Sequence, residues 1–305
     1  MNTKEILDIL PLKIKSEMEN TIELNKLQEV RIKVNKPLIF QVGSEEIIKT
    51  YKPSFEDVKF VLQKISNYSI YAFEEEIKQG YITIRGGHRV GLCGNCVIQN
   101  EGIKTIKDVT SLNIRVCREV INCSAKVMPY IIKNESIKNT IIISPPKCGK
   151  TTLLRDITRH ISDGIKNSNF KGKKVCVIDE RSELGGCYNG IPQMDLGFRT
   201  DIFDNCPKSQ GIMLAIRSMS PDVIVCDEIG TKKDMESLLM ALNCGVSIVT
   251  TIHGNDVDDL YKRAVFKEIV ENKVFSIAIV LSGVNGVGTV EEVYDFDKNE
   301  SLWRR

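Results

Sequence analysis

The sequence predicts an α/β protein: a domain with a mostly parallel sheet, preceded by a smaller α+β domain. From Thr140 to His253, apolar strand-like runs alternate with helix-like stretches, which is the pattern of strands joined by crossover helices. Three of these runs are almost continuous Val, Ile and Cys residues, as expected for strands that a parallel sheet buries on both faces. Earlier in the chain, short strand-like runs are separated by turn signals instead.

In the second part, a helix is predicted at 151–163 because its apolar residues recur at helical spacing. A second helix is predicted at 234–245, with Gly245 as its C-terminal cap. The run 274–284 is too short to span a bilayer and is interpreted as a buried strand. The other predicted strands of this part are 140–144, 173–180, 222–228 and 246–253.

The first part predicts two adjacent strands, 28–35 and 37–42, joined by the turn "NKP", and a helix at 55–65. Further on, "CGNC" is expected in a Gly-rich turn, without the second ligand pair that a zinc site needs. We therefore expect an α+β domain over 1–125 and the sheet-and-helix domain over 126–305.

Composition narrows the classes of function. The chain has 305 residues, with 42 Lys and Arg against 40 Asp and Glu, and this near balance argues against nucleic acid as a partner. Neither a signal peptide nor an apolar run of about 20 residues is visible. Ten scattered cysteines suit reduced thiols. We expect a cytoplasmic protein with no direct membrane span, which reaches a membrane only through partners.

A phosphate-binding loop is predicted between the first buried strand and the helix that follows it. The motif G-x-x-x-x-G-K-[ST] places backbone N–H groups around phosphates at a helix N-terminus. Here Lys150 would reach the β and γ phosphates of ATP, and the Thr151 hydroxyl would coordinate Mg²⁺. The nucleotide-binding residues predicted are Ser144, Pro145, Pro146, Lys147, Cys148, Gly149, Lys150, Thr151 and Thr152.

Ser144 stands where the motif normally has glycine. If the backbone there needs a positive φ, a residue with a side chain costs about 1–2 kcal/mol. We therefore expect Ser144 to weaken nucleotide binding or to shift the loop, without removing the lysine or the hydroxyl.

Acidic residues lie at the C-terminal ends of two of the predicted strands, at the sheet edge where α/β proteins bind ligands. Asp227 is the predicted Mg²⁺ ligand, and Glu228 the predicted general base. At the end of the other strand, Asp179, Glu180 and Glu183 are predicted near the same edge, together with Arg181. They could line the metal or water site or form a solvated turn, and we favour the first. His253 ends a further strand, where it could bind the γ-phosphate or Glu228.

Hydrolysis of a phosphoanhydride also needs positive charge on the transition state, often from an arginine of a neighbouring subunit. The sequence does not rank the candidates. They are Arg181, Arg199 and Arg217 in the second part, and Arg85, Arg89, Arg115 and Arg118 in the first.

These motifs, in this order, resemble the secretion and pilus ATPases, which carry Walker A, Asp box, Walker B and His box in the same sequence. The stretches "ERSELGG", "FRTDIFDNCPK", "IRSMSPDVIVCDEIG" and "SIYAFEEEIKQGYITIRGGHRVGLCG" resemble the stage III sporulation protein AA family more closely, over nearly the whole chain. That family's phosphate loop generally begins with glycine, so Ser144 departs from it.

The resemblance to this family implies more about the fold, the assembly and the setting than the spacing of the motifs does. It implies a RecA-like P-loop NTPase domain and a hexameric ring of identical subunits that hydrolyses ATP. The ring would lie on the cytoplasmic, mother-cell face of a sporulation channel or secretion-like membrane complex. By the resemblance, Lys150 and Thr151 fall in Walker A, Glu180 and Glu183 in the Asp box, Asp227 and Glu228 in Walker B, and His253 in the His box.

Two other functions stay open. A nucleotide-binding assembly scaffold with little or no turnover is favoured only by Ser144, whereas Glu228 argues against it, because a scaffold needs no general base. A nucleic-acid motor with a similar core would require the basic stripe that this sequence lacks.

Overall fold

The computed structural model describes residues 4–19, 23–69, 73–99, 102–166, 168–262 and 274–305. The chain forms two compact units. The first comprises Met1–Arg118 and Gly186–Gln193, and the second comprises Glu119–Gly185 and Met194–Arg305. The domain boundary expected from sequence, after residue 125, stays a prediction, and the return of 186–193 to the first unit has no signal in the sequence.

The first unit is built on a six-stranded sheet in the order β3-β2-β1-β6-β5-β4, and every neighbouring pair is antiparallel. The predicted pairing of the two strands around "NKP" is confirmed. The elements are α1 (Lys4–Asp8), α2 (Leu12–Glu19), β1 (Leu27–Lys33), β2 (Ile39–Val42), β3 (Glu45–Ile48), α3 (Phe55–Ile65), α4 (Glu74–Lys78), β4 (Tyr81–Ile84), β5 (His88–Gln99) and β6 (Gly102–Arg115).

The helix α3 begins and ends where the sequence predicts. Ser54 caps it through a reciprocal pair of hydrogen bonds with Asp57, which satisfies backbone N–H groups that the first helical turn leaves free. Its Val58, Val61 and Ile65 face the core of the unit. The expectation of a turn at Cys93–Cys96 is wrong, because these residues lie inside β5 at a bulge.

The short segment 186–193 packs within the first unit. The Tyr188 hydroxyl accepts a hydrogen bond from the Asn67 amide at 3.2 Å, and the Gln193 side chain accepts one from the backbone N–H of Gly86 at 3.0 Å. A Cβ at Gly186 would lie 3.0 Å from Gly87, so this approach depends on a residue without a side chain.

The second unit is built on an eight-stranded sheet in the order β11-β10-β12-β13-β9-β14-β15-β16. The first six strands are parallel and the last two antiparallel, as predicted for a mostly parallel sheet. The elements are α5 (Met128–Ile131), β7 (Ile132–Lys133), β8 (Ser136–Ile137), β9 (Thr140–Ser144), α6 (Lys150–Asp163), β10 (Val175–Asp179), β11 (Thr200–Asp204), α7 (Lys208–Ser218), β12 (Val223–Cys226), α8 (Lys232–Asn243), β13 (Ser247–His253), α9 (Asp258–Lys262), β14 (Ile277–Ser282), β15 (Thr289–Asp295) and β16 (Glu300–Arg304).

Helices cover both faces of this sheet. One apolar cluster includes residues of α7 and α8, and the other includes residues of α6. Because both faces are covered, the central strands are buried at every position, which explains their continuous apolar runs. Among the described helices, none combines the length and apolar character needed to cross a bilayer.

Candidate functional site

The predicted phosphate loop connects β9 to α6. The strand ends at Ser144 and the helix begins at Lys150, in register with the motif. Gly149 caps the helix with φ of 88°, and Lys147 also adopts a left-handed backbone, with φ of 62°. The loop therefore turns sharply at the start of a 14-residue helix, whose unpaired N–H groups and dipole favour an anion.

The expected cost of Ser144 does not arise at that position. Ser144 belongs to β9 and pairs with His253 of β13, so its backbone is extended rather than left-handed. Its hydroxyl donates to the carbonyl of Pro145 at 2.9 Å. The residue that carries the strained backbone is Lys147, three positions later, where a side chain costs about 1–2 kcal/mol.

Hydroxyl groups surround Asp227 at the end of β12. The Thr151 hydroxyl donates to one carboxylate oxygen at 3.0 Å, and the Thr251 hydroxyl donates to the other. The backbone N–H of Glu228 also donates to Asp227, at 2.9 Å. Thr151 and Asp227 thus offer a hydroxyl and a carboxylate oxygen side by side, a donor set that fits Mg²⁺.

A magnesium ion held here would take few protein ligands. Within the described part of the chain, no group of three or more His, Cys, Asp and Glu residues could hold a metal. Mg²⁺ commonly binds through one or two protein oxygens and completes its shell with waters and substrate phosphates. The Thr151 and Asp227 pair fits this mode of coordination better than it fits an all-protein metal site.

Cationic and polar nitrogens converge on Glu228. Its carboxylate oxygens lie 3.5 Å from Lys150 Nζ, 3.3 Å from His253 Nε2 and 3.9 Å from Arg181 Nη1. Lys150 Nζ also lies 3.2 Å from His253 Nε2. The fold therefore gathers a lysine from α6, a glutamate after β12 and a histidine from β13 at one sheet edge.

Glu228 also has a strained backbone, with φ of 34°. Residues with a side chain rarely adopt such a conformation, which costs of the order of 1–3 kcal/mol. Its N–H donates to the Thr251 hydroxyl at 2.9 Å, besides its bond to Asp227. These contacts hold the strained residue in place and aim its carboxylate at Lys150.

The acidic residues after β10 have other partners. Asp179 is buried and accepts hydrogen bonds at 2.8 Å from the backbone N–H groups of Glu183, Leu184 and Gly185. Burial raises the pKa of Asp179 to about 6, although these three donors favour its charged form. Asp179 therefore organises the turn that follows the strand.

Glu180 pairs with the buried ammonium of Lys208, at the start of α7. Burial opposes the charge of Lys208, but the hydrogen bond that Lys208 donates to Glu180 and the negative charge of Glu180 raise its pKa overall. Glu180 and Glu183 line a cavity of about 340 Å³ together with Glu228. The described contacts do not bring either residue to Lys150 or Thr151, and their catalytic role stays a prediction.

The candidate arginines of this unit separate into three positions. Arg181 faces Glu228. Arg199 donates to the carbonyl of Ser162 at 2.7 Å, near the end of α6, and stacks on the Phe198 ring at 4.0 Å. Arg217 lies exposed in the last turn of α7.

The arginines of the first unit lie among its own residues. Arg89 stacks on the Tyr81 ring, with 4.0 Å between the guanidinium carbon and the ring centroid. Arg118 donates to the carbonyl of Leu27, and burial lowers its pKa. Arg85 lines a cavity of about 350 Å³, and Arg115 pairs with Glu29 and Arg89 in the sheet register.

Sequence reasoning missed Thr251 and Lys208. Thr251 precedes His253 by two positions in the same strand, so a period of two would have placed both side chains on one face. Lys208 follows Glu180 by 28 residues, and no local pattern connects the two. A third omission is the 283–288 loop between β14 and β15, whose Gly288 donates to the carbonyl of Cys148 at 3.0 Å.

The whole chain can be compared with solved structures. The Yersinia pseudotuberculosis ATPase DotB matches with a TM-score of 0.62 and 13% identity, covering 94% of this chain and 80% of that one. The pilus retraction motor PilT with bound ADP matches with a TM-score of 0.59 and 14% identity, covering 90% and 77%. At these identities the likeness shows the fold alone, which the chain shares with DotB and PilT.

Comparisons of the sequence identify the family of the chain. Residues 1–301 match the family model described as sporulation stage III, protein AA. The chain is 43% identical over 297 residues to the stage III sporulation protein AA of Bacillus subtilis (strain 168), covering 97% of this chain and 96% of that one. The chain belongs to the stage III sporulation protein AA family.

Proposed function

We propose that this protein is a Mg²⁺-dependent ATPase of the secretion type. The observation that carries the proposal is the meeting of Lys150, Thr151, Asp227, Glu228 and His253 at one edge of the sheet. The five side chains come from three places, the start of α6, the end of β12 and the end of β13, and together they supply a cation, a metal-binding oxygen pair and a base. This combination is the one that phosphoryl transfer to water needs.

Phosphate binding, metal binding and proton transfer are assigned to different residues of the chain. The N-terminus of α6 and Lys150 bind the phosphates, because both supply positive potential at the turn. Thr151 and Asp227 hold Mg²⁺, which when bound neutralises charge on the phosphate oxygens. Glu228 accepts a proton from the attacking water and orients it toward the terminal phosphate.

His253 and Arg181 support this step. Both lie within 4 Å of the Glu228 carboxylate, His253 at 3.3 Å and Arg181 at 3.9 Å. The positive charge of Arg181 stabilises the carboxylate and the charge that develops on the transferred phosphoryl group, and His253 is within hydrogen-bonding distance of the same carboxylate. Arg217, exposed on α7, is the candidate of this unit that could serve a neighbouring subunit.

The family membership supports a setting for the activity. We propose that subunits close a homo-oligomeric ring, a hexamer, and that hydrolysis drives domain motion against a membrane-bound complex of the sporulation channel. The protein would lie on the cytoplasmic, mother-cell side and be peripheral to the membrane through its partners. The near-neutral charge, 42 basic against 40 acidic residues, offers no support for a nucleic-acid motor.

The proposal is tested by comparing Lys150→Ala with Glu228→Gln in ATP binding and phosphate release. Lys150→Ala should weaken ATP binding, whereas Glu228→Gln should keep binding and lose turnover, because only the second removes the base. The exposed Lys171→Ala serves as the matched control and should behave as wild type. Turnover that survives Glu228→Gln would overturn the assignment of the base.

A scaffold without turnover is not favoured by any contact in the site. Its support in the sequence was Ser144, and the extended backbone of this residue removes that support. Wild-type protein that binds ATP but releases no phosphate at any concentration would reinstate the scaffold.

A further inference from the structure

The 283–288 loop between β14 and β15 lies against the phosphate loop. Gly288 N–H donates to the carbonyl of Cys148 at 3.0 Å. A Cβ at Gly149 would lie 3.0 Å from Gly288 N and from Val287 Cγ1, so no side chain fits between the two loops. The 283–288 loop is therefore a wall of the phosphate site.

The sheet order gives the phosphate site two distinct flanks. The strand β9 lies between β13 on one side and β14 on the other. Lys150 is directed toward the β13 flank, where Glu228 lies 3.5 Å and His253 3.2 Å from its Nζ. The 283–288 loop stands on the opposite flank.

This asymmetry fixes the direction of a bound nucleotide. The terminal phosphate must lie at the flank that holds Lys150 and Glu228, since the reacting bond lies there. The nucleoside is at the other end of the phosphate chain, so it must leave the loop toward the β14 flank. That flank presents the 283–288 loop.

The loop has the chemistry to receive a base. Its sequence, GVNGVG, carries no charge. The side chains of Val284 and Val287 are 79% and 74% exposed, and nothing in the described structure covers them. Gly286 N–H donates to the carbonyl of Gly283 at 3.2 Å, so the valines stand on an ordered turn. Exposed aliphatic groups gain free energy when a planar base covers them.

We propose that Val284 and Val287 contact the nucleobase and ribose of the nucleotide held by the phosphate loop. The inference rests on the proposed function, because it requires that residues 144–151 bind a nucleotide. The two aliphatic side chains contact the faces of the base and not its edges. The loop therefore contributes affinity for the nucleoside and little discrimination between adenine and guanine.

The test compares two ligands and two double variants of the full chain. The ligands are MgADP, which carries a base, and tripolyphosphate with Mg²⁺, which does not. Val284→Ala with Val287→Ala should weaken MgADP binding by about tenfold, and leave tripolyphosphate binding unchanged. Calorimetric titration measures both affinities, and a thermal melt confirms that the variants fold.

The matched control is Leu214→Ala with Met240→Ala, which removes two other exposed apolar side chains of the same unit. It should leave both affinities within about twofold of wild type. In steady state, the valine variant should raise KM for ATP with kcat unchanged, because the contact is equal in ground and transition states.

The possible outcomes distinguish a failure of this inference from a failure of the proposed function. Unchanged MgADP affinity in the valine variant, with tripolyphosphate still bound, would overturn this inference and leave the nucleotide site standing. Equal weakening of both ligands would also overturn it, because the loop would then act on the phosphates. A wild-type protein that binds neither ligand would overturn the proposed function and this inference together.

Discussion

Two Asp-Glu pairs lie at the C-terminal ends of neighbouring parallel strands, and the structure gives them different partners. After β10, Asp179 is enclosed by three backbone N–H groups and Glu180 pairs with Lys208. After β12, Asp227 meets two threonine hydroxyls, and Glu228 faces Lys150, His253 and Arg181. An Asp-Glu pair at the same sheet edge thus organises a turn in one case and contacts residues of the candidate phosphate site in the other.

The position of each acidic pair is set by where its strand ends, whereas its role depends on the residues that contact it. Strands β10 and β12 are paired in parallel, so both acidic pairs reach the same edge. On its other side in the sheet, β12 pairs with β13, which contributes Thr251 and His253, whereas β10 pairs with the edge strand β11. Only the more central pair is close to the phosphate loop.

The largest expected effect concerns the two glutamates. Glu228→Gln should lower the rate of ATP hydrolysis by about 10²–10⁴-fold, because it removes a positioned base. Glu180→Gln should lower it by less than about tenfold, since it loses a partly exposed ion pair with Lys208. Phosphate release at saturating ATP measures both rates. Equal losses in the two variants would break the comparison and support a catalytic Glu180.

The second effect is a pH dependence of stability that Asp179 causes. Its pKa is raised from 3.8 to about 6 on folding, so the folded state binds a proton more tightly than the unfolded state. Stability from this group is therefore largest below about pH 4 and declines by about 3 kcal/mol as the pH rises to about 6, and is then constant.

The Asp179→Asn variant isolates this contribution because it cannot titrate. The free energy of unfolding of wild type, relative to the variant, should fall between about pH 4 and about pH 6. Urea denaturation at several pH values measures the difference. Parallel curves for the two proteins would show that Asp179 does not titrate in this range and would contradict the raised pKa of its buried carboxyl group.

The third effect tests the strained backbone of Glu228. Glu228→Asn and Glu228→Gln both remove the charge, but asparagine adopts the left-handed region more readily. The Asn variant should therefore be more stable than the Gln variant by about 1 kcal/mol, and both should lack turnover. Thermal unfolding ranks the two proteins, and a more stable Gln variant would show that the φ of 34° costs nothing.

The smallest effect separates two positions of the phosphate loop. Ser144→Gly should lower stability by about 0.5–1 kcal/mol, because glycine weakens a strand, and should change turnover by less than about twofold. Lys147→Gly should instead raise stability by about 1 kcal/mol, because Lys147 has the left-handed backbone. A large gain of turnover in Ser144→Gly would restore the expectation that this serine impairs the site.

Much of this arrangement was predictable from local patterns. Continuous apolar runs predicted the parallel strands, and the spacing of Gly149, Lys150 and Thr151 placed the phosphate loop between β9 and α6. Asp227, Glu228 and His253 were predicted because residues at the ends of parallel strands reach one edge.

The remaining features depend on contacts between distant parts of the chain. The pairing of Glu180 with Lys208 joins a strand end to a helix start, and no periodicity encodes it. The contact of Gly288 with Cys148 likewise requires the order of β9 and β14 in the sheet. Whether Ser144 needs a positive φ could not be decided from the sequence, because the motif fixes spacing and not the φ of each position.

The most direct test of the central claim is Mg²⁺-dependent phosphate release from ATP, measured for wild type over a range of protein concentrations. We predict turnover that requires Mg²⁺ and rises more than in proportion to protein concentration, as sites are completed between subunits. Wild-type protein that binds ATP without releasing phosphate at any concentration would contradict it.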